Sequence, residues 1–385
     1  MISIQELVSF AEVRGSRALL CRQDPKICSG SGRAKSRRTS TLALVALILA
    51  ALLVCANLAR AADVSTRPAK SYAIVVSETT LSQPEWKAVV EALRAKHNGA
   101  VITHAGDVDA AQWELSAYMP DYVCFVARPA EAGREFVVKV SRMMRELDAD
   151  PYTDAVWGII TGYDPADALR IAKLSEPLLV KQGGSGAGSS MLAGLDNSFA
   201  SSEGNPHSFW TRKDGKAADE KVDPDPTERL VEGLNTMNPQ VFFTSGHATE
   251  KDWQVGYNVN AGQFRCQNGQ LYALTSRGKR LEIRSPSTKV YLPMGNCLIG
   301  HISDRDCMSL AWMHSGGVNQ MFGYTAVTFF GYMGWGTKDY FCGGRYSLAE
   351  AFFLNNQALV RDLREKYPKL ADIRFDTYDH RAISY

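Results

Sequence analysis

No Cys-x-x-Cys pair occurs in the 385 residues, and histidine is scarce, with seven in all. The first absence makes the thiol-redox motif and the zinc ribbon weak readings. A strong charge bias is also missing, since the formal net charge is +2. That balance hides an uneven distribution. Residues 1–38 hold eight Lys and Arg against Glu6, Glu12 and Asp24, and the chain from Asp63 onward carries −4. A mildly acidic body lacks the basic footprint of a nucleic-acid binder, so no nucleic-acid partner is expected. Apolar residues at 45% and charged residues at 22% are ordinary for a globular protein.

The uneven start has a shape of its own. Arg37 and Arg38 precede an apolar run from Leu42 to Leu58, broken only by Asn57, and Ala59-Arg-Ala61 follows. A basic flank, an apolar core and a small-x-small exit are the parts of a secretory signal peptide. The run is also about as short as a spanning helix can be, so an uncleaved membrane anchor is the alternative. Residues 1–62 are therefore expected to be a leader and residues 63–385 one exported domain, touching membrane only through the leader if that stays uncleaved. The body keeps five cysteines, Cys124, Cys266, Cys297, Cys307 and Cys342. Five is odd, and a body of this size does not need a disulfide scaffold.

Short apolar runs alternate with helical stripes along the first half. Tyr72–Val76, Ala100–Thr103, Tyr122–Val126 and Ala155–Ile160 read as strands, continuous enough for burial on both faces. Between them, helices are expected from Ser82 to Lys96, with Ser82 as cap, and from Glu135 to Leu147. Another is expected from Asp164 to about Val180. The pattern predicts an α/β fold, a mostly parallel sheet with helices on both faces. Gly183–Ser190 and the polar tract 201–225 read as flexible by content, so 183–226 is expected to be a flexible surface insertion. Later come a helix from Thr227 to Asn235, a hairpin turning at Asn268-Gly269, a helix from Cys307 to His314 and a strand from Gly317 to Tyr324. An aromatic, glycine-rich loop over Phe329–Gly336 and a helix from Ser347 to Lys366 follow.

Two segments carry the chemistry. Val241-Phe-Phe-Thr-Ser-Gly-His247 and Val290-Tyr-Leu-Pro-Met-Gly-Asn-Cys297 are apolar runs that each end in a reactive side chain. As parallel strands they would deliver His247 and Cys297 to the carboxyl edge of one sheet, where open α/β sheets place ligands. An imidazole there can activate a thiol and later protonate a leaving amine. Backbone N–H groups at Gly246, Ala248 and Cys297 can hold an oxyanion. Two other readings stand beside this one: a buried inert thiol with a core histidine, and zinc held by His247, Cys297, His301 and Cys307. Outside the zinc reading His301 serves to shape the site, and Tyr324 and Trp335 are candidate groove residues. The hydrolase chemistry requires no cofactor or metal, and calcium is compatible with it but implied by no spacing.

At these segments the chain resembles the gingipain-type cysteine peptidases, in the caspase-like group that also holds legumain and clostripain. The likeness rests on Phe242-Phe-Thr-Ser-Gly-His247-Ala and Tyr291-Leu-Pro-Met-Gly-Asn-Cys297. It continues through Ser309-Leu-Ala-Trp-Met-His-Ser-Gly-Gly-Val-Asn-Gln-Met-Phe-Gly-Tyr324, and upstream through Trp157-Gly-Ile-Ile-Thr-Gly-Tyr-Asp-Pro-Ala-Asp-Ala-Leu169. The resemblance implies a caspase-like fold and an endopeptidase acting on protein or peptide substrates. Cys297 would be its nucleophile and His247 its general acid and base. Ala248 departs from the glycine that usually follows the histidine, and Asn296 from the smaller residue common before the cysteine. An inactive binding or scaffold module of the same fold is the rival expectation.

Overall fold

The structure is a computed structural model that describes residues 70–222, 225–257, 261–328 and 332–366. The apolar run Leu42–Leu58 and the polar tail lie outside the described residues. Among those described, no helix is long and apolar enough to cross a membrane.

Four parallel strands open the fold: β1 (Tyr72–Ser77), β2 (Ala100–His104), β3 (Tyr122–Val126) and β4 (Val156–Ile160), in the order β2-β1-β3-β4. Their apolar continuity has the expected cause. Ala73, Val75, Val123 and Phe125 pack on one side against Val140 and Met143 of the helix Arg134–Met143. Ile74 and Val76 pack on the other against Trp86, Val89 and Val90 of the helix Pro84–His97, and Ala168 and Ala172 of the helix Pro165–Lys173. Alternate β1 side chains thus enter different helix layers, which is why the strand cannot alternate apolar with polar.

The second sheet has seven strands. β5 (Gln182–Ser185), β6 (Asn197–Ser201), β7 (Ser208–Lys213) and β8 (Lys216–Lys221) come first in the chain, then β9 (Val241–Thr244). A separate antiparallel sheet, β10 (Asp252–Gln254), β11 (Gln263–Gln267), β12 (Gln270–Leu274) and β13 (Arg280–Glu282), intervenes before β14 (Lys289–Pro293) and β15 (Val318–Met321). The order is β15-β14-β9-β5-β6-β7-β8, parallel except for the β6-β7-β8 meander. The whole is a mixed α/β fold with parallel sheet covered by helices, as the alternating pattern implied.

Several boundaries differ from expectation. The stretch 183–226, read as a flexible insertion, contains β5 to β8. Its glycines answer to packing. A Cβ on Gly184 would lie 2.5 Å from the Phe199 ring and 2.9 Å from the Phe242 ring. A Cβ on Gly183 would meet Leu192 and Leu195 at 2.6 Å. The polar tract is a hairpin whose outer strand β8 is exposed throughout, a charged edge that resists further pairing. Ser82 does not cap the helix Pro84–His97; it ends the short helix Glu78–Leu81, its Oγ donating to Thr79 O. The helix begun by Asp164, which accepts from Ala166 N and Asp167 N, stops at Lys173 instead of Val180. The helix read to Leu147 ends at Met143, and the strand read to Tyr324 ends at Met321. Within the segment read as an aromatic loop, Tyr332 begins a helix that runs to Cys342.

Candidate active site

β9 and β14 are adjacent and parallel, from Val241 opposite Val290 to Thr244 opposite Pro293. Every residue of both strands is buried. His247 follows Thr244 by three residues and Cys297 follows Pro293 by four, so both leave the same carboxyl edge on neighbouring strands, which lie about 4.8 Å apart. The ladder runs one step further, with Met294 N donating to Thr244 O at 2.9 Å.

Beyond the ladder, a side chain takes over. Asn296 is fully buried between the two loops. Its Oδ1 accepts from Thr244 Oγ1 at 2.6 Å, and its Nδ2 donates to Gly246 O at 3.1 Å. The residue before Cys297 is therefore bonded to the residue before His247. Thr244 Oγ1 also lies 2.9 Å from Tyr291 OH, which continues the polar chain into β14. A smaller residue at 296 would break both ties between the loops, while Thr244 Oγ1 would keep its contact with Tyr291 OH. Asn296, a departure from the family pattern by sequence, is here the brace between the two loops.

The cysteine loop is held from its other side as well. Leu298, directly after Cys297, has φ of 56°, a left-handed conformation unusual for a branched residue. Neighbouring bonds enforce it: Leu298 N donates to Ala326 O at 3.2 Å and Gly300 N to Tyr324 O at 3.0 Å. Gly300 and Gly323 meet backbone to backbone, and a Cβ on Gly300 would come 2.6 Å from the Gly323 carbonyl carbon. Cys297 is half-buried, and its Sγ lies 3.4 Å from Thr328 N and 3.3 Å from Thr328 O. Other thiols are placed for inertness. Burial pushes Cys124 and Cys266 up to about 12, and it raises Cys307 as well.

The histidine loop is more open. Gly246 has φ of 88°, which turns the chain out of β9 and leaves His247 exposed. Ala248 then bridges Trp253 and packs against the core, while Trp253 Nε1 donates to Ser245 O at 2.8 Å. The His247 ring stacks on Tyr257 at 4.7 Å between centroids. Beneath this loop lies a carboxylate that sequence reasoning missed. Glu203 Oε2 accepts from Ser245 Oγ at 2.5 Å, and Glu203 O accepts from Tyr257 N at 3.3 Å. Glu203 follows β6 in a Ser-Ser-Glu-Gly-Asn-Pro turn, where no period or spacing marks it.

The remaining candidates separate. Tyr324 does not line a groove: it is buried, its OH donating to Met294 O at 3.2 Å and accepting from Gly334 N at 2.6 Å. Burial drives its phenol far above the usual range. Trp335 is half-buried near the cysteine loop, with Nε1 3.8 Å from where a Gly295 Cβ would stand. His301 is half-buried, and burial lowers its pKa; its backbone N–H donates to Leu298 O and its ring Nδ1 has no partner.

His247, Cys297, His301 and Cys307 do not gather as a metal-binding set. Among the described residues, the groupings of potential metal ligands are Asp164, Asp167 and His314, and Asp148, Asp150 and Asp154. In the first, His314 Nδ1 lies 2.8 Å from Asp167 Oδ2 and its ring packs on Tyr163. In the second, the carboxylates accept from backbone N–H groups of their own turn.

No family model and no curated protein matches the sequence. Among solved structures, the fold is similar to the Arg-specific cysteine proteinase gingipain R (RgpB), with a TM-score of 0.50 over 79% of this chain and 75% of that one, at 10% identity. A complex of Porphyromonas gingivalis RgpB pro- and mature domains is similar at a TM-score of 0.49, 10% identity, and 78% and 75% coverage. At such identity the likeness to gingipain R shows a shared caspase-like architecture and nothing finer.

Proposed function

We propose that this protein is a cysteine endopeptidase in which Cys297 and His247 act as a dyad. The observation that carries the reading is the brace at the edge of β9 and β14. A fully buried Asn296 ties the two loops that present the thiol and the imidazole. In the proposed reaction, His247 takes the Cys297 proton and the thiolate attacks the scissile carbonyl, forming a C–S bond. The tetrahedral intermediate collapses as the C–N bond breaks, and His247 returns the proton to the leaving amine. Water, deprotonated by His247, then attacks the thioester and releases the carboxylic acid and the free thiol. Backbone N–H groups at Gly246, Ala248 and Cys297 are the proposed oxyanion donors. The leader motif supports export of the mature protein, and protein or peptide is the proposed substrate.

The competing reading is an inactive module of the same fold. It draws on the contacts of the Cys297 sulfur with the Thr328 backbone and on the stacking of His247 against Tyr257. Incubation with a denatured protein substrate under reducing conditions separates the two. Peptide release by the wild type and none by Cys297→Ala supports the peptidase. Equal release by both, or none by either across a broad peptide library, supports the inactive module.

A further inference from the structure

The hydrogen bonds that hold the histidine loop stop at its backbone. His247 O accepts from Gln254 N at 2.9 Å, while among the described residues none hydrogen-bonds the His247 ring. What the ring does meet is Tyr257. The two lie nearly parallel, with 17° between planes and 4.7 Å between centroids. A stack covers the face of an imidazole and leaves both nitrogens, on its edge, open to proton transfer.

The chain bends twice to bring this tyrosine back. After His247 it turns where Thr249 N donates to Asp252 O at 2.9 Å, and it returns with Trp253 of β10 antiparallel to Ala248. Gly256 then takes φ of 82°, a left-handed turn, and Gln254 Nε2 donates to Gly256 O at 3.2 Å across it. Tyr257 N donates to Glu203 O at 3.3 Å. Its side meets the glycine before the histidine: a Cβ on Gly246 would lie 3.8 Å from Tyr257 Cδ2 and 3.9 Å from Tyr257 Cα. Yet the residue is 50% exposed, so all this construction adds little to the core. Its fixed position answers to the imidazole. An aromatic face also attracts the cationic ring that exists while His247 holds the Cys297 proton.

We propose that Tyr257 is the positioning residue of His247, setting the plane of the imidazole and favouring its protonated form. This role rests on the dyad reading. In the inactive module the same stack would only hold the ring away from the thiol.

Iodoacetamide alkylation of Cys297 in the whole protein at neutral pH tests the role without any substrate. Tyr257→Leu should slow it about fivefold, and Tyr257→Phe, which keeps the aromatic face, should restore the rate to within about twofold of the wild type. The rate at Cys266 should not change. Tyr257→Leu added to His247→Ala should slow Cys297 no further, because the tyrosine acts only through the imidazole. In peptide hydrolysis Tyr257→Leu should lower kcat by a similar factor and leave KM within about twofold. An alkylation rate in Tyr257→Leu equal to or above the wild type's would overturn the proposal. So would equal losses in the Leu and Phe variants, a loss that persists beside His247→Ala, or a raised KM with kcat unchanged. A Cys297 rate untouched by His247→Ala alone removes the dyad reading itself, and the role of Tyr257 with it.

Discussion

The two parallel sheets are built by one rule and finished differently. In both, buried strands run toward a carboxyl edge that gathers polar side chains. At the first edge those groups pair among themselves: Glu131 with Arg128, Ser77 and Thr80, and Asp107 with Lys139. At the second edge the pairing is spent on holding the loops that carry the reactive groups. Asn296 ties loop to loop, and Glu203 takes the Ser245 hydroxyl, while Cys297 is half-buried and His247 exposed. A polar edge becomes a candidate reaction centre when its hydrogen bonds fix the chain that carries the reactive groups instead of quenching them.

The sharpest way to break this contrast is to remove a thiol from each sheet. Cys297→Ala should lower peptide hydrolysis by about 10⁶-fold, in the range known for loss of a nucleophile. Cys124→Ala, in β3, should leave it within about twofold, since that thiol is buried among apolar side chains. Equal losses would mean that Cys297 has no special role. A second contrast concerns packing. Gly184→Ala should destabilise by about 2–3 kcal/mol in denaturant titration, because its Cβ meets two aromatic rings. Gly158→Ala in β4, where nothing lies within 4 Å of the new Cβ, should change stability by about 0.5 kcal/mol or less.

A smaller effect is expected from the brace. Asn296→Ala should cost about 1–2 kcal/mol by removing the donor to the Gly246 carbonyl and one of the two partners of the Thr244 hydroxyl. It should also lower kcat more than it raises KM, the mark of a residue that positions the dyad. An unchanged kcat with the same loss of stability would reduce Asn296 to a packing role. The smallest effect belongs to the first edge. Burial would raise the Glu131 carboxyl, but Arg128, Thr80 and Ser77 outweigh it and hold the pKa at about 2 instead of 4.5. This stabilisation is complete above pH 4.5 and is lost as pH falls toward 2. After allowance for solvent screening it amounts to about 1–2 kcal/mol, and thermal melts of Glu131→Gln should lack that part of the acid sensitivity.

Much of this was legible in the chain. The strands of the first sheet and the two site strands are continuous apolar runs, and burial on both faces writes that kind of signal into a sequence. β5 was hidden because its signal is absence. Gly183 and Gly184 read as a flexible linker, whereas large neighbours from other strands fill the space where side chains would stand. Tyr324 looked like a groove aromatic because an isolated tyrosine does not reveal that its hydroxyl is paired inside the core. Glu203 and the brace by Asn296 were out of reach for a related reason. Both depend on side-chain bonds between segments over 40 residues apart in the chain, and such contacts leave no local period.

The central claim is that His247 activates Cys297, and one measurement addresses it directly. Iodoacetamide alkylation at neutral pH, followed by peptide-resolved mass spectrometry, gives the rate at each cysteine in the wild type and in His247→Ala. The account predicts that Cys297 reacts at least about tenfold more slowly in the variant, with the rate at Cys266 unchanged. Equal Cys297 rates in the two proteins would contradict it and leave a caspase-like fold without its proposed dyad.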